Sequence, residues 1–281
     1  MRGSQHDARR IVGAIFPDLA LGRARSSQGE FHDVVLVPGE AAIRIARRAG
    51  TAAELERTAE LLRRLGDLSL PLLVPQPLAP VQELDGRAVL ATTWVPGEPS
   101  PRGSGDPVQL RRVLDLLAEV DLGLLDDVLA PPHAYAGGEA WETVMLEDVV
   151  PLLPPRWREE ARRRIEAALA LPAVPPRLVH GDLAGDNMRW DDEGRLVGVL
   201  DWDLASAWDP AVDAACLSWH GWDCVEQAVD RDTYRRARIW GATFGIEQVA
   251  AALVRDASTD DVRRSTERAV AWLERTASTW D

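Results

Sequence analysis

Three oxygen-bearing side chains lie close enough in the chain to do chemistry together. The segment His180-Gly181-Asp182-Leu183-Ala184-Gly185-Asp186-Asn187 offers a carboxylate and, five residues on, an amide oxygen. Asp201 comes fourteen residues after Asn187 and closes the apolar run Val197-Gly198-Val199-Leu200. Phosphoryl transfer needs an acceptor for the attacking hydroxyl's proton and hard oxygen ligands that hold Mg2+ against nucleotide phosphates. Asp182 suits the first task. Asn187 and Asp201 suit the second, from opposite ends of one hairpin.

The elements that must position these groups fall into two patterns. Residues 32–37 and 41–46 read as short strands joined by a turn at Pro38-Gly39-Glu40. Thr51 to Leu65 has Leu55, Leu61, Leu62 and Leu65 at helical spacing, with Thr51 as its N-cap. A Pro-rich connector over 71–80 leads to an apolar strand over 87–95. Residues 99–107, rich in Gly, Ser and Pro, form a second connector. Beyond it the pattern is mostly helical: 108–129, then 156–171, then helices from Asp209-Pro210 to the C-terminus. Short strands at 177–180 and 196–200 interrupt it, with Asp191–Gly194 as a turn between them. The expected architecture is α+β and bilobal: a small β-rich N-lobe over 1–95 and a mostly helical C-lobe over 99–281.

Composition narrows the chemistry. Among 281 residues, 32 are basic and every one is Arg, which excludes Schiff-base and P-loop lysines. The net charge of −13 argues against nucleic acid and anionic membrane as partners. The charge is uneven. Residues up to Val95 carry 11 acidic groups against 12 Arg, whereas the rest carry 34 against 20. Such a field suits a cationic ligand. Cys216, His220 and Cys224 fall at i, i+4 and i+8, and on one helix the outer two stand ~12 Å apart. That is too far for one zinc ion or a disulfide. With no leader pattern and no apolar run near 18 residues, the expectation is a cytoplasmic protein, a monomer or weak dimer.

The motifs His180–Asn187, Gly198-Val199-Leu200-Asp201-Trp202-Asp203 and Asp209-Pro210-Ala211-Val212-Asp213 together resemble the aminoglycoside phosphotransferases, antibiotic kinases with a protein-kinase-like fold. The likeness reaches the N-terminal part through Gln28-Gly-Glu-Phe-His-Asp-Val-Val35, Ala42-Ile-Arg-Ile-Ala46 and Thr93-Trp-Val-Pro-Gly-Glu98. It implies Asp182 as catalytic base, Asn187 and Asp201 as Mg2+ ligands, and ATP or GTP as donor. It further implies that Ser26, Ser27 and Gln28 cover the nucleotide phosphates and that a hinge at about 93–98 reads the base through Thr93 and Val95. Arg44 stands where the family usually has a phosphate-binding Lys. Its expected helix partner is Glu56, because Thr58 occupies the usual Glu position.

Within the family the viomycin and capreomycin kinases look nearest. A tuberactinomycin-type peptide or an aminoglycoside is therefore the expected acceptor, with a macrolide phosphotransferase or a metabolic small-molecule kinase as alternatives. A nucleotide-binding pseudokinase is the non-enzyme alternative. Acceptor contacts are expected from Asp186, Asp203 and Asp223, and from Trp219 and Trp222 as cation-binding faces. Only seven residues lie between Asp201 and Asp209-Pro210. That leaves no room for an activation segment that docks a polypeptide.

Overall fold

Buried positions alternate along 32–37 and 41–45, so each strand offers one face to each side of a sheet. The computed structural model describes residues 2–28, 32–48, 50–277 and 280. Its contacts divide the chain into two units, Met1–Pro99 with Asp186–Trp202, and Ser100–Gly185 with Asp203–Asp281. The first unit holds an antiparallel sheet in the order β1-β2-β3-β5-β4. These strands are β1 (Arg25–Gln28), β2 (His32–Val37), β3 (Ala41–Ala46), β4 (Gln82–Leu84) and β5 (Arg87–Thr93). Val35, Val37, Ile43, Ile45 and Val89 pack against Ala8, Ile11 and Val12 of helix α1 (Arg2–Ile15). The opposite face carries Ala46, Ala88 and Leu90 against Leu55 and Ala59 of α2 (Ala52–Asp67). By the period of two, Arg44 lies on the α2 side, and it registers with Val34 and Leu90.

The second unit opens with α3 (Pro107–Ala118), capped by Asp106, whose carboxylate accepts the Val108 N–H at 2.9 Å. The helix expected to run to residue 129 stops at Ala118. There Asp121 turns the chain by accepting the Gly123 N–H at 3.0 Å. A helical stretch follows as α4 (Trp141–Thr143), a π-helical Val144–Val149 and α5 (Val150–Leu152), then α6 (Pro155–Leu169). After β6 (Arg177–Val179) the chain passes to the first unit and forms a hairpin, β7 (Met188–Trp190) and β8 (Leu196–Val199). Backbone pairing anchors that hairpin: Leu73 bonds Val197 and Val199, and Glu98 exchanges two bonds with Trp190.

The strand partner of β6 is β9 (Ser206–Trp208). The last elements are α7 (Ala211–Cys216), α8 (Trp222–Ala228), α9 (Arg231–Gly241), α10 (Phe244–Val254) and α11 (Thr259–Thr276). No single helix carries Cys216, His220 and Cys224. A 3-10 turn over Leu217–His220 and Gly221 at φ +104° separate α7 from α8. Among the described residues no helix is long and apolar enough to cross a membrane.

A buried ion pair fixes the start of α7. Asp209 accepts the Arg236 guanidinium at 2.6 Å, the Trp240 indole N–H at 2.7 Å and the Ala211 N–H at 3.0 Å. Removing the carboxylate strands a buried cation and two further donors. Asp209→Ala is expected to cost about 3–5 kcal/mol. Urea unfolding checks this, as a lower midpoint with the slope unchanged.

Candidate active site

From β6 the chain enters His180, Gly181 and Asp182, and a buried carboxylate holds this loop from behind. Asp213 of α7, 1% exposed, accepts the N–H of His180 at 2.7 Å and of Gly181 at 2.9 Å. His180 is fully buried, and its Nδ1 receives the Asp182 N–H at 3.2 Å. Gly181 sits at φ +84°, where a side chain would meet the Leu204 carbonyl oxygen at 2.8 Å. The loop backbone is thus fixed while the Asp182 side chain is exposed. A rigidly mounted, accessible carboxylate is what a proton acceptor requires.

Sequence reasoning gave Asp213 no role, although its place one turn after Asp209-Pro210 marked the buried face of a helix. Burial pushes its pKa up to about 7; the two N–H bonds pull it down and the Asp182 charge pushes it up. The folded value lies above the unfolded one. Stability from this group is therefore fully present below about pH 4 and is lost as pH rises toward about 7. Asp213→Asn removes that dependence. The Tm advantage of the wild type over Asp213→Asn is expected to shrink between about pH 4 and 7 and then level off. A constant advantage across that range would contradict the buried titration.

In the first unit Asn187 and Asp201 flank the open end of the β7–β8 hairpin. The Leu200 N–H donates to the Asn187 carbonyl oxygen at 2.8 Å, which sets the two residues side by side. Asp201 adopts φ +59°, a left-handed conformation that a non-glycine residue takes at a cost of about 1–3 kcal/mol. Arg44 reaches the same place. Its Nη1 lies 3.4 Å from Asp201 Oδ1, and its Nη2 lies 3.2 Å from His32 Nδ1.

Hence the expected Arg44–Glu56 pair does not form. Glu56 points outward on α2, whose inward positions are Leu55, Thr58, Ala59 and Leu62. Thr93 is likewise occupied, since its N–H donates to the Gln76 carbonyl oxygen and its hydroxyl accepts the Gln76 N–H. Val95 is buried beside Gly198 of β8. Ser26 and Ser27 lie in β1 and pair with Val35 and Val34, so the strand continues where a loop was expected. Gln28 ends that strand, and Gly29 to Phe31 lie outside the described residues.

The residues expected to touch an acceptor come from several short elements of the chain. Asp186 and Asp223 are exposed, and Asp203 lies in the short turn Trp202–Leu204. Trp222 carries the Arg238 guanidinium over its ring at 4.7 Å, and Trp219 carries Arg102 at the same distance. Each has one face taken by the chain's own arginine. Trp208 packs in β9 against His133 and Trp240.

A sequence model described as the phosphotransferase enzyme family matches residues 24–252. The chain belongs to that family. The phosphotransferase is 28% identical to viomycin phosphotransferase of Streptomyces vinaceus over 85% of this chain and 90% of that protein. Its fold is similar to that of the enzyme APH(2")-IIia bound to GDP and kanamycin, with TM-score 0.77, 20% identity, and 96% and 99% of the two chains covered. It is also similar to macrolide 2'-phosphotransferase MphH of Brachybacterium faecium, with TM-score 0.69, 20% identity, and 93% and 97% covered. The phosphotransferase thus has the kinase-like fold of these enzymes.

Its Asn187 and Asp201 fit a magnesium ion by their chemistry. Two hard oxygen donors are the number Mg2+ uses when phosphates and water complete its shell. Among the described residues no group of three or more His, Cys, Asp or Glu forms an all-protein cage.

Proposed function

We propose that this phosphotransferase moves the γ-phosphoryl group of ATP or GTP onto a hydroxyl of a cationic antibiotic, a tuberactinomycin-type peptide or an aminoglycoside. The observation that carries the reading is the Asp182 carboxylate, exposed on a backbone locked by Asp213 and His180. In this reading residues 1–95 bind the nucleotide, and residues 99–281 supply the catalytic loop, the Mg2+ ligands and the acceptor site. Asp182 takes the proton of the attacking hydroxyl as its oxygen bonds to the γ-phosphorus. The bond from that phosphorus to the bridging oxygen breaks, and the nucleoside diphosphate leaves. Arg44 steadies the phosphates beside Asp201. Asn187 and Asp201 would hold Mg2+, which when bound neutralises phosphate charge. The Val95 N–H makes no hydrogen bond among the described residues, so it supplies a donor for the nucleotide base.

Charge supports a cationic acceptor. Between Arg112 and Arg156 the chain has nine Asp or Glu and no Arg. The similarity to a viomycin phosphotransferase along most of both chains points the same way. The test is nucleoside-diphosphate release with ATP or GTP and Mg2+ over viomycin, kanamycin, streptomycin and a macrolide, with product mass as the second readout. Turnover with a polycation and a product heavier by one phosphate supports the reading. Turnover confined to the macrolide, or none with any acceptor, overturns it.

A further inference from the structure

Trp219 does more in the second unit than fill space. Its indole N–H donates to the Ser100 carbonyl oxygen at 3.2 Å, and its own carbonyl oxygen accepts the Gly103 N–H at 2.9 Å. Arg102 lies over its ring. The following residues extend the seam: His220 Nδ1 lies 2.9 Å from the Ser104 carbonyl oxygen, and Cys224 Sγ lies 3.4 Å from that of Gly105. Burial holds His220 below the ordinary histidine pKa, so its ring is neutral and can donate from Nδ1. Thus His220 and Cys224, which made no metal site, stitch a strap over Ser100–Gly105 onto the segment Leu217–Cys224.

The pyrrole part of the same indole, around Nε1, also abuts the catalytic loop. A Cβ placed on Gly185 would stand 2.0 Å from Trp219 Nε1 and 2.2 Å from Cε2. Gly185 is not among the glycines at positive φ, so only this close approach demands a glycine there. Gly185 is the residue at which the chain leaves the second unit, and Ser100 is the one at which it enters. One indole therefore binds both boundary points. Upstream of Gly185 the loop has little freedom, because Leu183 is fully buried and the Ala184 N–H bonds the Asp182 carbonyl oxygen at 2.8 Å.

We infer that Trp219 is a positioning residue for phosphoryl transfer: its indole clamps the strap at Ser100 and the exit of the catalytic loop at Gly185, and so holds the Asp182 carboxylate in its working direction. The inference rests on the base role proposed for Asp182. It assigns Trp219 to the loop instead of to the acceptor.

The test compares the wild type with Gly185→Ala, Trp219→Leu and the double variant. Gly185→Ala alone forces the loop off the ring and is expected to lower kcat by about 100-fold, with the nucleotide KM within about twofold. Trp219→Leu frees the loop and is expected to lower kcat by about tenfold. In the double variant the smaller side chain makes room for the added methyl, and kcat is expected at least about tenfold above Gly185→Ala. Full activity in Gly185→Ala, or no relief in the double variant, overturns the clamp. Amide hydrogen exchange on Trp219→Leu supplies a readout independent of turnover. Faster exchange in residues 100–105 and 180–187 together, with α10 unchanged, is expected. Unchanged exchange in either segment, or faster exchange throughout the chain, contradicts it. Should the wild type phosphorylate nothing, the proposed function fails while the exchange data still judge the clamp.

Discussion

Asp182→Asn is expected to lower turnover by about 10²–10⁴-fold while the nucleotide KM stays within about twofold of the wild type. The substitution keeps size and shape and removes the proton acceptor. The loop survives it, because its supports lie elsewhere. Asp213 takes the two N–H groups of His180 and Gly181, and the Asp182 contact to His180 Nδ1 comes from the backbone. A variant that bound nucleotide tenfold more weakly, with kcat intact, would assign Asp182 to the donor and overturn its role as base. The comparison is made on purified protein by steady-state kinetics varied in each substrate.

Asp201→Asn carries the second large effect. Asparagine tolerates the left-handed backbone almost as well as aspartate does, so φ +59° is kept and the change isolates the charge. Two consequences follow from geometry. One of the two oxygen donors beside the hairpin end loses its negative charge, and Arg44 loses its partner at 3.4 Å. The expected result is a kcat about 10²–10³-fold lower and a higher Mg2+ concentration at half-maximal rate. Arg44→Ala alone should leave the Mg2+ dependence near that of the wild type and raise the nucleotide KM. An unchanged Mg2+ curve in Asp201→Asn would remove this residue from the metal site.

Much of the site was legible because its parts are local. The strands at 32–37 and 41–46 match β2 and β3 residue for residue. Two β-rich runs around the Pro38-Gly39 turn pair in a register that buries Val35, Ile43 and Ile45 together. The block from His180 to Asn187 was legible for a different reason, as it concentrates oxygen donors at spacings that a random loop lacks.

What escaped was non-local. The three-residue strands β6, β7 and β9 have no period to read, and their partners are set by packing. Thus 188–190 and 206–208 were not read as strands, although the hairpin that ends at Asn187 and Asp201 was expected. Helix α1 was missed because Ala8, Ile11, Val12 and Ile15, which pack on the sheet, follow a run of polar and charged residues. Glu56 failed as a partner of Arg44 through helix phase, since the turn that buries Leu55 and Thr58 points residue 56 outward. No sequence pattern tells that Gly185 will lie against the ring of Trp219.

Label transfer tests the central claim most directly. The protein is mixed with γ-phosphate-labelled nucleotide, Mg2+ and viomycin or kanamycin in a single turnover, beside Asp182→Asn. The expected result is label on the antibiotic in step with nucleoside diphosphate, one for one, and almost none in the variant. Diphosphate released without labelled antibiotic, or equal transfer by Asp182→Asn, would contradict an antibiotic kinase that works through Asp182.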